Sequence, residues 1–155
     1  MRHIFFAKRY EEDQEKPVKT VMIDSKGSFA NRAEETTTEA MRNGEGVLSK
    51  MPRIAVQYDT DAGKEVVYDN QLPHRGFDGH IRVGSYKGES TSKAEEYVKA
   101  RNSTLDNLLP IFELSPETVI FGGWDSTRSK NQLRIPSVMV GETYAILAEQ
   151  EEDPV

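Results

Sequence analysis

Cysteine is absent from this chain of 155 residues, which excludes disulfides, thiol nucleophiles and cysteine-ligated zinc. A chain without disulfides suits a reducing compartment, so we expect a cytoplasmic location. No unbroken apolar run approaches the roughly 18 residues of a membrane-spanning helix, so no membrane association is expected. An excess of basic residues is also missing: 20 Lys and Arg face 26 Asp and Glu, for a net charge of −6. A nucleic-acid binder is usually basic, so any such binding must depend on local groups.

The residues that are present are sufficient for one folded domain. Hydrophobic residues make up 36% of the chain and 11 glycines add to them, which places the composition close to that of globular proteins. The length corresponds to a single domain over residues 1–155. The acidic segment 149–155 is expected to be a frayed tail.

The pattern of apolar and turn-forming residues predicts alternating strands and helices. Residues 18–23 read as a strand, a helix capped by Ser28 follows, and 53–58 and 65–68 form a hairpin. A second helix is predicted over 92–109 from the Ser92 and Glu95 capping box, followed by a buried strand over 119–124. Residues 135–148 read as a strand, with a helix as the alternative. The order β-α-β-β-α-β predicts an α+β fold with a ferredoxin-like, RRM-like split β-α-β core, an additional strand and long loops.

The first candidate site lies where the first strand meets its helix, in residues 25–32. Free backbone N–H groups at a helix N-terminus favour phosphate, and Ser28, Asn31 and Arg32 add polar and cationic contacts. The alternative is a capped helix with an exposed arginine.

The second candidate is the loop 73–82, where two histidines, an aspartate and two arginines lie close together. His74, Asp78 and His80 lie in a glycine-broken loop, which lacks the helical geometry that makes an i, i+4 spacing convincing for metal ligands, so we expect neither a metal nor a cofactor. Arg75 and Arg82 make an anion-binding loop the stronger interpretation, with a purely structural role as the alternative.

The third candidate is the segment 121–134, in which a buried strand carries Trp124 to its end and a polar loop follows. An aromatic ring for stacking beside Arg128, Lys130 and Arg134 for phosphate suits single-stranded RNA. The alternative is that Trp124 belongs to the core, with the loop mobile and Arg128 exposed. Glycines 122 and 123 predict a bulge or a close backbone approach.

Residues 23–34, 72–82 and 119–126 together resemble successive blocks of one CRISPR-associated family. The blocks follow the patterns D-S-x-x-S-x-A-N-R-x-E, P-H-R-x-x-D and L-F-G-x-W-D-S. This family comprises the backbone subunits of type I-U (I-G) Cascade complexes, which belong to the "Cas seven" group of the RAMP superfamily. Its members are generally about twice as long, so the resemblance implies a shortened or partial member.

This resemblance implies a noncatalytic subunit that polymerises along a guide RNA in antiviral defence. The implied partners are crRNA, copies of the chain itself, other Cascade subunits and, through the guide, target DNA. The residues expected to contact RNA are Ser28, Asn31, Arg32, His74, Arg75, Arg82, Trp124, Arg128, Lys130 and Arg134.

Two other functions stay open at this point. One is a metal-independent endoribonuclease of the same superfamily, with His74 or His80 as base and Arg75 steadying the phosphorane. The other is a self-assembling scaffold that binds no nucleic acid.

Overall fold

A computed structural model describes residues 20–128 and 132–146 of the chain. The described helices are α1 (Lys26–Asn43), α2 (Gly79–Val83), α3 (Glu95–Arg101), α4 (Leu109–Leu114) and α5 (Pro116–Ile120). The strands are β1 (Thr20–Asp24), β2 (Ala55–Thr60), β3 (Gly63–Tyr68), β4 (Ser85–Tyr86), β5 (Glu89–Ser90), β6 (Gly123–Asp125), β7 (Leu133–Ile135) and β8 (Thr143–Ile146). Single 3-10 turns occupy Leu48–Lys50, Asp69–Gln71, Arg75–Phe77 and Thr91–Lys93. None of these helices is long and apolar enough to cross a membrane.

The described strands pair as four separate antiparallel ribbons of two strands each: β1 with β8, β2 with β3, β4 with β5, and β6 with β7. Helices and small antiparallel sheets together confirm the α+β class. The pairing differs from the ferredoxin-like arrangement, because the described strands do not join in one four-stranded sheet.

Contacts within the chain define two compact units, whose described residues are 20–32 with 140–146 and 33–128 with 132–139. In the first unit, β1 pairs with β8 from Thr20 to Asp24, and the Thr20 side chain is buried. Gly141 lies against the ring of Phe29, where a Cβ atom would come within 2.7 Å of the ring carbons. That contact explains why residue 141 has no side chain.

The second unit holds two clusters of buried apolar side chains. The first joins the helices to the β6–β7 hairpin, and the second joins the base of the β2–β3 hairpin to α2 and α3. The buried members are Phe77, Ala100, Ile111, Leu133 and Ile135 in the first cluster, and Leu72, Ile81, Ala94 and Tyr97 in the second.

The hairpin predicted over 53–68 is confirmed as β2 and β3, while several other predicted elements need correction. The helix predicted over 92–109 is two helices, α3 and α4, separated by residues 102–108. The strand predicted over 119–124 is wrong in its first half, because α5 continues to Ile120 and β6 begins at Gly123. The strand predicted over 135–148 is instead the end of β7, a loop and β8, and residues 147–148 lie outside the described part.

The cap of α1 also lies earlier than predicted. The helix begins at Lys26, and the Oγ atom of Ser25 accepts a hydrogen bond from the Ser28 amide at 3.3 Å. Ser25 is therefore the N-cap residue, and Ser28 lies within the first turn.

Residues 18–19, the tail 149–155 and Lys130 lie outside the described residues, and the single domain over 1–155 stays a prediction.

Candidate nucleic-acid interface

The β6–β7 hairpin has one face toward the core and one toward solvent. Successive side chains of a strand alternate between faces. Asp125, Leu133 and Ile135 are buried, whereas Arg134 is exposed. Trp124 and Arg134 are directly opposite each other in the register, so both belong to the solvent face.

The indole of Trp124 is contacted by two cationic or polarisable groups. The Cζ atom of Arg134 lies 4.4 Å from the indole centroid, within the range of a cation–π contact. The ring of His74 meets the indole edge to face, with centroids 5.8 Å apart and planes at 78°. The indole Nε1 donates to Oε1 of Gln132 at 3.3 Å. Trp124 is half-buried and outside both core clusters, so its assignment to the core is wrong.

Two glycines bring the backbone into this hairpin. Gly122 has φ +88°, and a Cβ atom there would lie 2.8 Å from the Ile135 carbonyl oxygen. A Cβ atom on Gly123 would lie 2.5 Å from Cγ2 of Thr118. The predicted close backbone approach is confirmed, and it lies directly before Trp124, the central residue of β6.

The loop that carries His74 is fixed by Asp78. Oδ2 of Asp78 accepts from the His74 amide at 3.2 Å, and Oδ1 accepts from the His80 amide at 2.9 Å. The second bond makes Asp78 the N-cap of α2. This double contact sets the backbone from which His74 reaches Trp124.

Arg75 joins two distant parts of the second unit. Its Nε donates to Oε1 of Glu34 at 2.6 Å, and its Nη1 donates to the Gly122 carbonyl at 2.9 Å. The side chain is 19% exposed, and the backbone has the unusual φ of 48°. RNA contact by Arg75 stays a prediction, but the guanidinium already has two partners inside the protein.

A group of buried carboxyl groups lies beside this arginine. Asp69 and Glu117 are each 1% exposed. Burial, together with the nearby charges of Asp69 and Glu34, raises the pKa of Glu117 to about 7. Burial also raises the pKa of Asp69. Glu117 therefore changes its charge near neutral pH.

On the core side of the hairpin, the carboxylate of Asp125 organises a polar network. Its Oδ1 accepts from the amide and hydroxyl of Thr127 at 3.1 and 2.6 Å. Its Oδ2 accepts from Nε of Arg101 and from Nε of Arg128, each at 3.2 Å. Although burial opposes it, the hydrogen bonds from Thr127 and the charge of Arg101 lower the pKa of Asp125. The carboxylate stays ionised and holds both arginines.

Two predicted RNA-binding arginines belong to this network. Nη1 of Arg82 donates to Oγ1 of Thr127 at 2.6 Å. Nη1 of Arg128 donates to the Ser103 carbonyl at 3.2 Å, and the Arg128 side chain is 19% exposed. The expectation that Arg128 is exposed is wrong, because Asp125 and Ser103 hold it, and the mobility of the loop stays a prediction.

The residues of the first candidate site belong to the other compact unit. Arg32 forms an ion pair with Asp24, and its Nη2 lies 3.5 Å from Oγ of Ser28. Hydrogen bonding to Ser28 and Arg32 lowers the pKa of Asp24. Asn31 is exposed on the same helix. These contacts fit a capped helix as well as a phosphate site, so RNA contact there stays a prediction.

His80 forms a separate exposed pair with Tyr58 of β2. The Tyr58 hydroxyl and Nδ1 of His80 are hydrogen-bonded at 2.8 Å, and the rings meet at 72°. Within residues 20–128 and 132–146, no group of three or more His, Cys, Asp or Glu side chains is placed to hold a metal ion.

Sequence reasoning missed Arg101, which lies 24 positions before Asp125. A signal existed, because an aspartate directly after an apolar segment must find a cation if it is buried. The sequence alone does not say which arginine that is.

No curated protein and no solved structure matches this chain. The family model described as CRISPR-associated protein GSU0053 (Cas_GSU0053) matches residues 5–150, nearly the whole chain. The chain therefore belongs to this CRISPR-associated family and has a role in CRISPR defence.

Proposed function

We propose that the chain is a noncatalytic guide-RNA-binding subunit of a CRISPR effector complex, polymerising with copies of itself along the crRNA. Membership of a CRISPR-associated family supports the setting. The observation that carries RNA binding is the stack of Arg134 on Trp124 at the solvent face of the β6–β7 hairpin.

Such a stack suits unpaired bases. Single-stranded RNA is bound by stacking of its bases on aromatic rings and on guanidinium planes, and each stacked base is worth about 1–3 kcal/mol. Arg134 adds a positive charge for the neighbouring phosphate, and His74 packs against the indole with its ring nearly perpendicular. Because stacking accepts every base, the interaction suits a guide whose sequence varies.

Titration of the full chain with labelled single-stranded RNA of two unrelated sequences tests this proposal. Trp124→Ala should weaken binding about tenfold or more for both sequences, whereas Trp124→Phe keeps a stacking face and should retain much of the affinity. Phe112→Ala removes an aromatic ring that is 47% exposed on α4 and serves as the matched control. A folded Trp124→Ala variant that binds both RNAs like the parent chain would refute the role of the indole.

The endoribonuclease alternative is favoured by one observation, the hydrogen bond that orients His80 toward Tyr58. The role of Arg75 in that enzyme, to steady the phosphorane, is less well supported. Its guanidinium group is already hydrogen-bonded to Glu34 and to the Gly122 carbonyl. Incubation with labelled RNA in the presence of a chelator separates the two functions. Cleavage at a defined position that disappears in His80→Ala would make the enzyme the better assignment, and a chain that neither binds nor cuts RNA would fit a scaffold.

A further inference from the structure

We infer that the guanidinium groups of Arg82 and Arg101, which meet at the Thr127 hydroxyl, form a phosphate-binding site in the second unit. The phosphate of an RNA backbone is the expected ligand, in which case the inference rests on the proposed function. A free phosphate group has the same chemistry, and the experiment below separates the two sources.

The geometry brings two cations to one small acceptor. Nη1 of Arg82 and Nη2 of Arg101 lie 2.6 and 3.0 Å from the same Oγ1 atom of Thr127. The two nitrogens are thus within about 6 Å of each other, a distance at which like charges repel appreciably near a protein surface. Thr127 is exposed and neutral, so it cannot offset that repulsion.

The carboxylate in this network does not balance its charge. Asp125 accepts from Arg101 and from Arg128 through the same oxygen, and Arg82 adds a third cation. Asp78 is the second carboxylate whose charge reaches Tyr97 here, so two negative charges face three arginines. Arg128 is also bonded to a backbone carbonyl and is held inward. The excess positive charge therefore remains on Arg82 and Arg101, in a chain whose net charge is −6.

A buried hydroxyl group lies near the same arginines and near the carboxylates of Asp125 and Asp78. Tyr97 is 3% exposed, and its hydroxyl has no hydrogen-bond partner among the described residues. It lies close enough to Arg101 and Arg82 for their charges to act on it, yet burial raises the pKa of Tyr97 to about 12. The phenol therefore stays protonated and is a donor. Two guanidinium groups directed at one point are the chemistry that recognises a phosphate oxyanion.

The position relative to Trp124 suits a nucleic-acid strand. Thr127 follows Trp124 by three residues, so their Cα atoms are at most about 11 Å apart. Trp124 lies on the solvent face of the hairpin and the Asp125 network on the opposite face, so one strand of RNA that stacks a base on the indole passes the edge of the hairpin to bring a phosphate group to Arg82 and Arg101.

The test uses the full chain and three variants, each with one arginine replaced. Arg82→Gln removes one charge from the site, and Arg101→Lys keeps the charge but loses the planar fork. Arg42→Gln removes the same charge from an exposed position on α1 and is the control. Each protein is titrated with single-stranded RNA at several salt concentrations, and its melting temperature is measured in inorganic phosphate and in chloride at equal ionic strength.

If the site binds an RNA phosphate, Arg82→Gln lowers RNA affinity about tenfold and makes the log–log salt slope shallower by about 0.7. Arg101→Lys lowers affinity less, and Arg42→Gln changes it by less than about twofold. Unchanged affinity and slope in folded Arg82→Gln and Arg101→Lys overturn the RNA-phosphate site, while a loss in Trp124→Ala still upholds the proposed function.

The melting arm decides the case in which no variant affects RNA binding, including Trp124→Ala. The proposed function then fails, but the site stands if phosphate raises the melting temperature of the parent chain and not of Arg82→Gln. The site is refuted altogether if the parent chain melts at the same temperature in phosphate and in chloride and Arg82→Gln binds RNA with the affinity of the parent chain.

Discussion

Replacing Glu117 by glutamine should remove a pH dependence of stability that originates in the buried carboxyl group. The Glu117 side chain is 1% exposed, and its pKa is raised from 4.5 to about 7. Because the pKa is higher in the folded state, the contribution of Glu117 is fully present below pH 4.5 and is lost as the pH rises through 7. A difference of about 2.5 pKa units corresponds to about 3 kcal/mol of unfolding free energy across that window.

Urea unfolding of the parent chain and of Glu117→Gln at pH 5, 6, 7 and 8 measures this effect. Glutamine has nearly the same shape as glutamate and no charge at any pH. The free energy of unfolding of the Glu117→Gln variant, relative to that of the parent chain, should therefore increase from pH 5 to 8. Carboxylates with a lowered pKa, such as Asp125, lose their contribution to the free energy of unfolding at acidic pH. Both proteins contain these carboxylates, so their effect cancels in the difference between the two. Glu113→Gln, at an exposed position of α4, should show no such trend.

A flat difference between the two proteins across this range would refute the reasoning. It would mean that the Glu117 carboxyl is reached by water or is paired with Arg75 in solution, so that burial does not govern its ionisation.

Two further predictions concern packing around the candidate site. Arg128→Ala should lower the free energy of unfolding by about 1–3 kcal/mol, since it leaves Asp125 with one arginine fewer, and a urea midpoint equal to that of the parent would contradict this. Gly123→Ala should cost about 1–3 kcal/mol, because its Cβ would overlap Thr118, whereas Gly27→Ala meets nothing within 4 Å and should be neutral or stabilising. Similar melting temperatures for the two alanine-for-glycine variants would show that the chain near β6 can move aside.

Local patterns predicted the parts of the fold that depend on neighbouring residues. The β2–β3 hairpin followed from two β-rich segments around a polar turn, and Gly63 adopts φ +119° where that turn ends. The helix over 92–109 failed because its apolar spacing continues through 102–108, where the backbone turns instead. In α5, the short run from Pro116 to Ile120 has β-branched residues but is helical, since a short apolar run is compatible with both structures.

In the candidate site, too, sequence reasoning predicted the features that depend on neighbouring residues and missed those that join distant residues. Trp124 and Arg134 were predicted together because they belong to one polar and aromatic segment, and they are partners across the hairpin. The bonds from Arg75 to Glu34 and from Arg101 to Asp125 join residues 41 and 24 positions apart. No local pattern reports such pairs, so sequence reasoning took Arg75 as a residue free to meet RNA.

The β2–β3 ribbon has a consequence for local motion. Its strands pair only with each other among the described residues, and most of the side chains near the tip, from Asp59 to Glu65, are exposed. At its base, Val56 and Val67 pack on a buried cluster. A two-stranded hairpin is marginal by itself, so its backbone amides should exchange with deuterium fastest at the tip and more slowly toward the base. Amides of α5, whose Glu117 and Thr118 are almost fully buried, should exchange only through much larger openings of the second unit.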